Sequence, residues 1–318
     1  MPGTVEWLFQ WYRGLDKYKK LSHKTKTDYR GIMDRLVVEP MKVGMFGQRR
    51  AGAVTSIAAD AIYKRWTERH GKRQGSYAMQ VCRLVWNQAK RPGYDKITGV
   101  SDNPFAGMGI SSTAEHGNRE TSREEYDLYR QTAREMGFQS MATAAALSFE
   151  LVQRVWDVFG FVDPTGQKTR GLVWADYMPA ESFRIRQSKT AKPIEIPLTA
   201  EIDGEIVSLY PDLEAELDRT DRKGLLIVLE ERNGLPYTTR RMSDIHRKIC
   251  EKAGLPKDMT FTGFRHGGAT ELGDAGVEDM RAITGHDHVG TTRIYNKANI
   301  RKARKIGLQR RKHLERKS

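Results

Sequence analysis

Three short segments between residues 171 and 198 form the only clear β-region in a chain of 318 residues. They are GLVWADYM, SFRIRQS and KPIEIPL, and they read as three short strands joined by tight turns. Almost everything else carries helical periodicity. Such a chain is mainly α with a small antiparallel β-sheet.

The helical part before the strands divides readily. Thr4 caps a first helix with Val5, Leu8, Trp11, Tyr12 and Leu15 on one face. Ser22 opens a second, through Tyr29, Ile32, Met33 and Leu36, which ends before Pro40. A third runs from Ser56 to Arg69. A fourth starts near Ser76, with Tyr77, Val81, Leu84 and Val85 as its stripe, and stops before Pro92-Gly93. Together they predict a small helical bundle over residues 1–110. The stretch from Asn103-Pro104 to Asn118 is rich in Gly, Ser and Thr without periodicity, which marks a linker at 111–120. Ser122 and Glu125 have capping-box spacing and open a second domain, 121–318. A helix from Ser140 to Gln153 is expected to deliver Arg154 at its end. After Thr199 the pattern is mostly helical. GLLIVLEE reads as a strand or a buried helix segment, and helices are expected at Asp244–Ala253, Phe264–Asp274, Val277–Ile283 and near Thr291.

Charge narrows the class of partner. Lys and Arg total 54 against 40 Asp and Glu, a net charge of +14, which suits a polyanion such as nucleic acid. Lys24, Lys26, Arg30, Lys64 and Arg65 lie on the polar faces of the bundle, where they read as a solvated face or as DNA-backbone contacts. The 23 residues after Tyr295 hold ten Lys or Arg, Arg301 and Lys302 among them, against the single acid Glu315. That tail reads as a disordered basic end or as a helix weakly anchored by Ile300, Ile306 and Leu308. Two cysteines, Cys82 and Cys250, exclude a disulfide scaffold or a cysteine zinc site and fit a reducing cytoplasm. The longest aliphatic run, LLIVL, is far too short to span a bilayer.

The residues with chemistry lie far apart in sequence. LVQR carries Arg154, QSKT carries Lys189, TGFRHGG carries Arg265, and GHDHVGTTRIY puts His286 nine residues before Tyr295. Taken singly each has a plain alternative. Arg154 has Asp157 as a ready ion-pair partner, Lys189 reads as a solvated turn lysine, Tyr295 as a core residue, and His286 as a helix cap. His286 with His288 lacks a third ligand and makes a poor zinc site. Taken together they are a kit for attacking a phosphodiester. Guanidinium forks clamp non-bridging oxygens, histidine adds a hydrogen bond, lysine supplies a proton and tyrosine is the nucleophile.

This set, in this order, resembles the tyrosine recombinase (phage-type integrase) family. That family has an arginine in its first motif, a lysine in a β-hairpin turn, a His-x-x-Arg motif, Leu-Gly-His, and tyrosine nine residues on. Here LVQRVWDV, QSKTAKPIEIPL, GFRHGGAT, ITGH and TTRIY stand at those places. The resemblance implies a SAM-like core-binding bundle followed by the catalytic domain, together closing as a C-shaped clamp on duplex DNA. It also implies cleavage and rejoining through a 3′-phosphotyrosyl bond, a tetramer on paired sites, and no metal or other cofactor. The resemblance further leaves room for accessory DNA-bending proteins as partners, and implies a location in the nucleoid of the cytoplasm. Two features depart from the pattern. Thr262 stands three residues before Arg265, where the family usually has histidine or lysine, and a threonine cannot act as a base near neutral pH. His266 is adjacent to Arg265, but neighbouring helical residues point about 100° apart, so it is not an obvious replacement. The second departure is a longer stretch, DPTGQKTRG, before the first strand.

The expected activity is site-specific recombination for a phage or another mobile element. The chain begins almost directly with core-binding helices, so no separate arm-site domain is expected. Xer-like resolution of chromosome or plasmid dimers is the alternative within the enzyme class. A DNA-binding homologue with impaired catalysis, for which Thr262 is the argument, and a non-enzymatic basic nucleic-acid protein are the rivals outside it.

Overall fold

The computed structural model describes residues 2–110, 119–161, 171–188, 192–277 and 279–285. The chain divides into two compact units, Met1–Gly117 and Asn118–Ser318, each with its own apolar core. The fold is mainly helical with small antiparallel sheets, as the pattern predicts.

In the first unit, α1 (Val5–Gly14) starts where Thr4 Oγ1 accepts the Trp7 amide at 3.3 Å. After α2 (Asp16–Lys19) comes α3 (His23–Val37), capped in the same way by Ser22 at 3.2 Å. These side chains satisfy amides that the first helical turn leaves without partners. Then follow α4 (Ser56–His70), capped by Thr55, α5 (Lys72–Ala89) and the short α6 (Asp95–Thr98). Helix α5 begins a turn earlier than expected, because Lys72, Arg73 and Gln74 are all exposed and carry no apolar period. Trp86 is the centre of this core, stacked on Phe46 and meeting Phe9 and Phe105 edge-on.

The second unit opens with α7 (Arg123–Glu135), whose capping box pairs Ser122 and Glu125 as expected. Helix α8 (Gln139–Phe149) follows and is buried from Ser140 to its end. It ends four residues short of the expected Gln153, and the chain turns into the five-residue α9 (Val155–Phe159). Strands β1 (Tyr177–Met178), β2 (Ser182–Arg186) and β3 (Pro193–Pro197) form an antiparallel sheet in the order β1-β2-β3, with Phe183 opposite Ile196. Only the last two residues of GLVWADYM pair in it. Trp174–Asp176 is a 3-10 turn, and Val173 instead bridges Leu226. GLLIVLEE is therefore neither sheet strand nor helix. It is clipped to the segment before β1 by Trp174 N to Leu225 O (3.0 Å) and Ile227 N to Leu172 O (3.0 Å).

A second hairpin corrects the helical expectation after Thr199: β4 (Thr199–Ile202) pairs with β5 (Glu205–Ser208). Asp203 and Gly204 both have positive φ, 55° and 84°, the geometry of a two-residue turn matched to strand twist. The Asp-Gly signal is legible, but Ile202 and Ile206 are exposed, so no buried face reinforces the alternation. The rest is helical: α10 (Pro211–Asp218), α11 (Thr239–Lys252), α12 (Thr262–Ala275) and α13 (Arg281–Thr284). Helix α13 is a single turn where a helix from Val277 to Ile283 was expected.

Helix α12 lies unusually close to its neighbours. A methyl group on Gly268 would collide with the Phe149 carbonyl, and one on Gly267 with the Thr121 carbonyl. The absence of side chains here lets the helix that carries Arg265 pack on the end of α8 and on the segment before α7.

Candidate active site

Arg154 is the N-cap of α9 rather than the end of α8, with extended φ and ψ of −73° and 145°. The turn that delivers it passes through Val152, a buried β-branched residue at φ 53°, a conformation costing about 1–3 kcal/mol. Nη1 of Arg154 lies 3.7 Å from Oδ2 of Asp157. Both atoms are buried, and neither makes a hydrogen bond among the described residues. The other carboxylate oxygen, Oδ1, accepts from Ser188 N at 2.7 Å and Ser188 Oγ at 2.5 Å. Asp157 thereby ties α9 to the end of the segment that leads into Lys189.

Arg265 sits in the first turn of α12 and is 6% exposed. Its Nη2 donates to the Thr284 carbonyl at 3.4 Å. Nε2 of Gln187 donates to the same carbonyl at 2.7 Å, and Nε2 of Gln153 to the Ile283 carbonyl at 3.1 Å. Carbonyls at a helix C-terminus have no intrahelical partner, and these donors satisfy them. Gln153, Gln187 and Ser188 were passed over in sequence. Their one signal is adjacency to Arg154 and Lys189.

Thr262 is the first residue of α12 and is partly buried. It borders a groove of about 630 Å³ together with Val155, His246, Arg247, Phe261 and others. His266, one turn on, is also partly buried. His246 lies deeper, with Nδ1 3.1 Å from the Tyr129 hydroxyl and Nε2 3.2 Å from the Met259 carbonyl. Burial lowers its pKa to about 4. Lys189, His286, Tyr295, Arg301 and Lys302 lie outside the described residues.

In the first unit, Lys24, Arg30 and Lys64 are exposed. Lys24 reaches Asp28 at 3.5 Å, and Lys26 donates to the Lys19 carbonyl at 3.3 Å. Arg65 is engaged differently. Its Nε donates to Glu39 Oε1 at 3.1 Å, and this buried carboxylate also takes Trp66 Nε1 (3.0 Å) and Arg69 (3.2 Å). Arg65 therefore satisfies a buried charge. A groove of about 440 Å³ lined by Lys17, Gln80, Arg83, Asn87 and Arg91, among others, is a further polar and basic surface that the sequence did not single out.

Among the described residues no cluster of three or more His, Cys, Asp or Glu could hold a metal, and no helix is long and apolar enough to cross a membrane. Two guanidiniums on fixed backbones can bind an anionic, tetrahedral group and gain strength as its charge grows.

Residues 167–302 match the model of the Phage integrase family. A 124-residue stretch is 32% identical to the protein named tyrosine recombinase XerA from Thermococcus kodakarensis, covering 38% of this chain and 41% of that relative. The chain thus spans less than half the length of that relative. Among solved structures, a lambda integrase dimer bound to a COC' core site aligns with a TM-score of 0.71 at 17% identity, over 92% of this chain and 95% of that one. The Tn1549 transposon integrase in complex with transposon right end DNA aligns with a TM-score of 0.71 at 14% identity, over 96% and 99%. At these identities the likeness is one of fold.

Proposed function

We propose, from the premise that this chain belongs to the phage integrase family of tyrosine recombinases, that it cleaves and rejoins duplex DNA at specific sites through a 3′-phosphotyrosyl intermediate. The observation that carries this reading is the convergence of its motifs. Arg265, the neighbour of Arg154 and the residue two before Lys189 all bond to the carbonyls of Ile283 and Thr284, just ahead of His286.

In this reading Arg154 and Arg265 clamp the non-bridging oxygens of the scissile phosphate. Each such donor contributes about 3–4 kcal/mol to the transition state. The Tyr295 hydroxyl oxygen attacks phosphorus and gives its proton to water, and the P–O5′ bond breaks. Lys189 protonates the departing 5′-oxygen, and His286 donates a hydrogen bond to the phosphate. Thr262 offers a hydroxyl but no base. The phosphotyrosyl bond keeps the phosphodiester energy, so a second 5′-hydroxyl completes strand transfer without ATP.

The same reading assigns residues 1–110 to DNA binding, 111–120 to a linker and 121–318 to catalysis. Lys24, Lys26, Arg30, Lys64, Arg301 and Lys302 would neutralise phosphates, with Arg65 divided between that role and Glu39. Four protomers would pair two sites, with accessory bending proteins, in the nucleoid of a cell carrying a phage or other mobile element. Lambda and Tn1549 integrases share the fold over more than nine-tenths of the chain, which favours integration. The similarity to a protein named XerA favours dimer resolution as the second reading.

The test is covalent trapping on a nicked suicide substrate. The wild-type chain should form a protein-linked DNA, and Tyr295→Phe should bind the same DNA without forming it. An adduct in the phenylalanine variant would remove Tyr295 as nucleophile. No adduct from the wild type would favour a DNA-binding homologue without catalysis. Sequencing of bound genomic fragments separates integration from dimer resolution.

A further inference from the structure

We infer that Gln153 and Gln187 are positioning residues. Together they lock the backbone of Ile283–Gly285, and through it set the point from which His286 continues. The inference rests on the reading above for its catalytic consequence, but its structural content stands on described residues alone.

Both glutamines are fully buried. Gln187 follows β2, and its own amide closes the hairpin end by donating to the Lys192 carbonyl at 3.1 Å. Its side chain spans to Thr284 O at 2.7 Å. Gln153 divides its NH2 between Leu151 O at 2.5 Å, inside the strained turn, and Ile283 O at 3.1 Å. Two successive carbonyls of α13 are thus held from two directions, by segments that also carry Arg154 and Lys189. Arg265 bonds to the second carbonyl from a third direction.

The residue type suits the position. A primary amide carries two N–H donors and no charge. A carboxylate here would neutralise the neighbouring guanidiniums, and a lysine would bury a further charge. The fit is mutual at Gly285. It has φ 67°, and a Cβ there would stand 2.6 Å from the amide atoms of Gln187. A side chain at 285 would push Gln187 off Thr284.

Gln→Met at 153 and at 187 removes the donors while keeping length and apolar volume. In the full chain, amide exchange in peptides covering residues 280–285 should accelerate about tenfold, as expected for one lost hydrogen bond, while α3 and α5 stay unchanged. Single-turnover cleavage of suicide DNA should fall about tenfold, with the Kd for uncut DNA within about twofold. In a His286→Ala background the same changes should cost almost nothing further, because aligning an absent imidazole has no value. A residue serving only general stability would instead give additive losses. Unchanged exchange at 280–285, full additivity with His286→Ala, or parallel loss of DNA affinity would each overturn the inference. If the methionine variants unfold, Gln→Asn, which retains the amide but shortens its reach, is read by the same three measurements. If the wild type forms no adduct, the functional reading fails, and the exchange measurement alone decides whether the glutamines hold the turn.

Discussion

Nη1 of Arg154 and Oδ2 of Asp157 face each other at 3.7 Å, both buried and neither hydrogen-bonded among the described residues. The pair attracts without closing into a hydrogen bond. Asp157 meanwhile spends its other oxygen on Ser188. The geometry predicts that Arg154→Ala and Arg265→Ala each slow cleavage by about 10²–10³-fold, with far smaller changes in DNA affinity. Rapid-quench cleavage beside equilibrium binding checks this. Equal losses in rate and affinity would mark both residues as ordinary backbone contacts.

Lys189→Ala should impair cleavage because the 5′-oxygen would have to leave as an alkoxide. A substrate with sulfur at the bridging 5′ position leaves readily as a thiolate and should restore the rate. Failure of that rescue would confine Lys189 to binding.

Thr262 stands at the start of α12 beside open groove space, so an imidazole has room there. Thr262→His should raise cleavage, by up to about a hundredfold if proton removal from Tyr295 limits the step. Thr262→Ala should change it little. A histidine variant no faster than wild type would show that another group, or water, already takes the proton.

His246 makes the second unit acid-sensitive. Burial depresses its folded pKa to about 4, below the ordinary 6.5, so the unfolded chain binds the proton more readily. Stability from neutral His246 is therefore complete above pH 6.5 and is lost as pH falls from there towards 4. Urea midpoints of wild type and His246→Gln should differ most at pH 7 and converge near pH 4.5. A gap independent of pH would rule this out.

Several elements are readable in the sequence itself. Thr4, Ser22 and Ser122 announce their helices because a short side-chain oxygen next to an apolar stripe has few other uses. β2 and β3 alternate over a buried face, so their pairing shows as period two. The β4–β5 hairpin was missed although Asp203-Gly204 signals its turn, because neither strand has a buried face. The end of α8 was misplaced because LVQR continues the apolar pattern. The chain leaves the helix after Phe149 and reaches the positive φ of Val152 three residues on, a strain that only surrounding packing can impose.

The sequence by itself determined the chemical kit: two arginines, a lysine, a histidine and a late tyrosine at distinctive spacings, on a basic chain of helices with one small β-region. These are local or compositional properties, and local physics suffices to read them. Tertiary structure alone decided which groups meet. That Asp157 holds Ser188, that Gln153 and Gln187 take successive carbonyls of α13, and that Gly267 and Gly268 admit two backbones against α12 are pairings across tens to more than a hundred residues. No periodicity encodes them. A buried amide or carbonyl has no preferred partner until packing removes water and leaves one donor within reach.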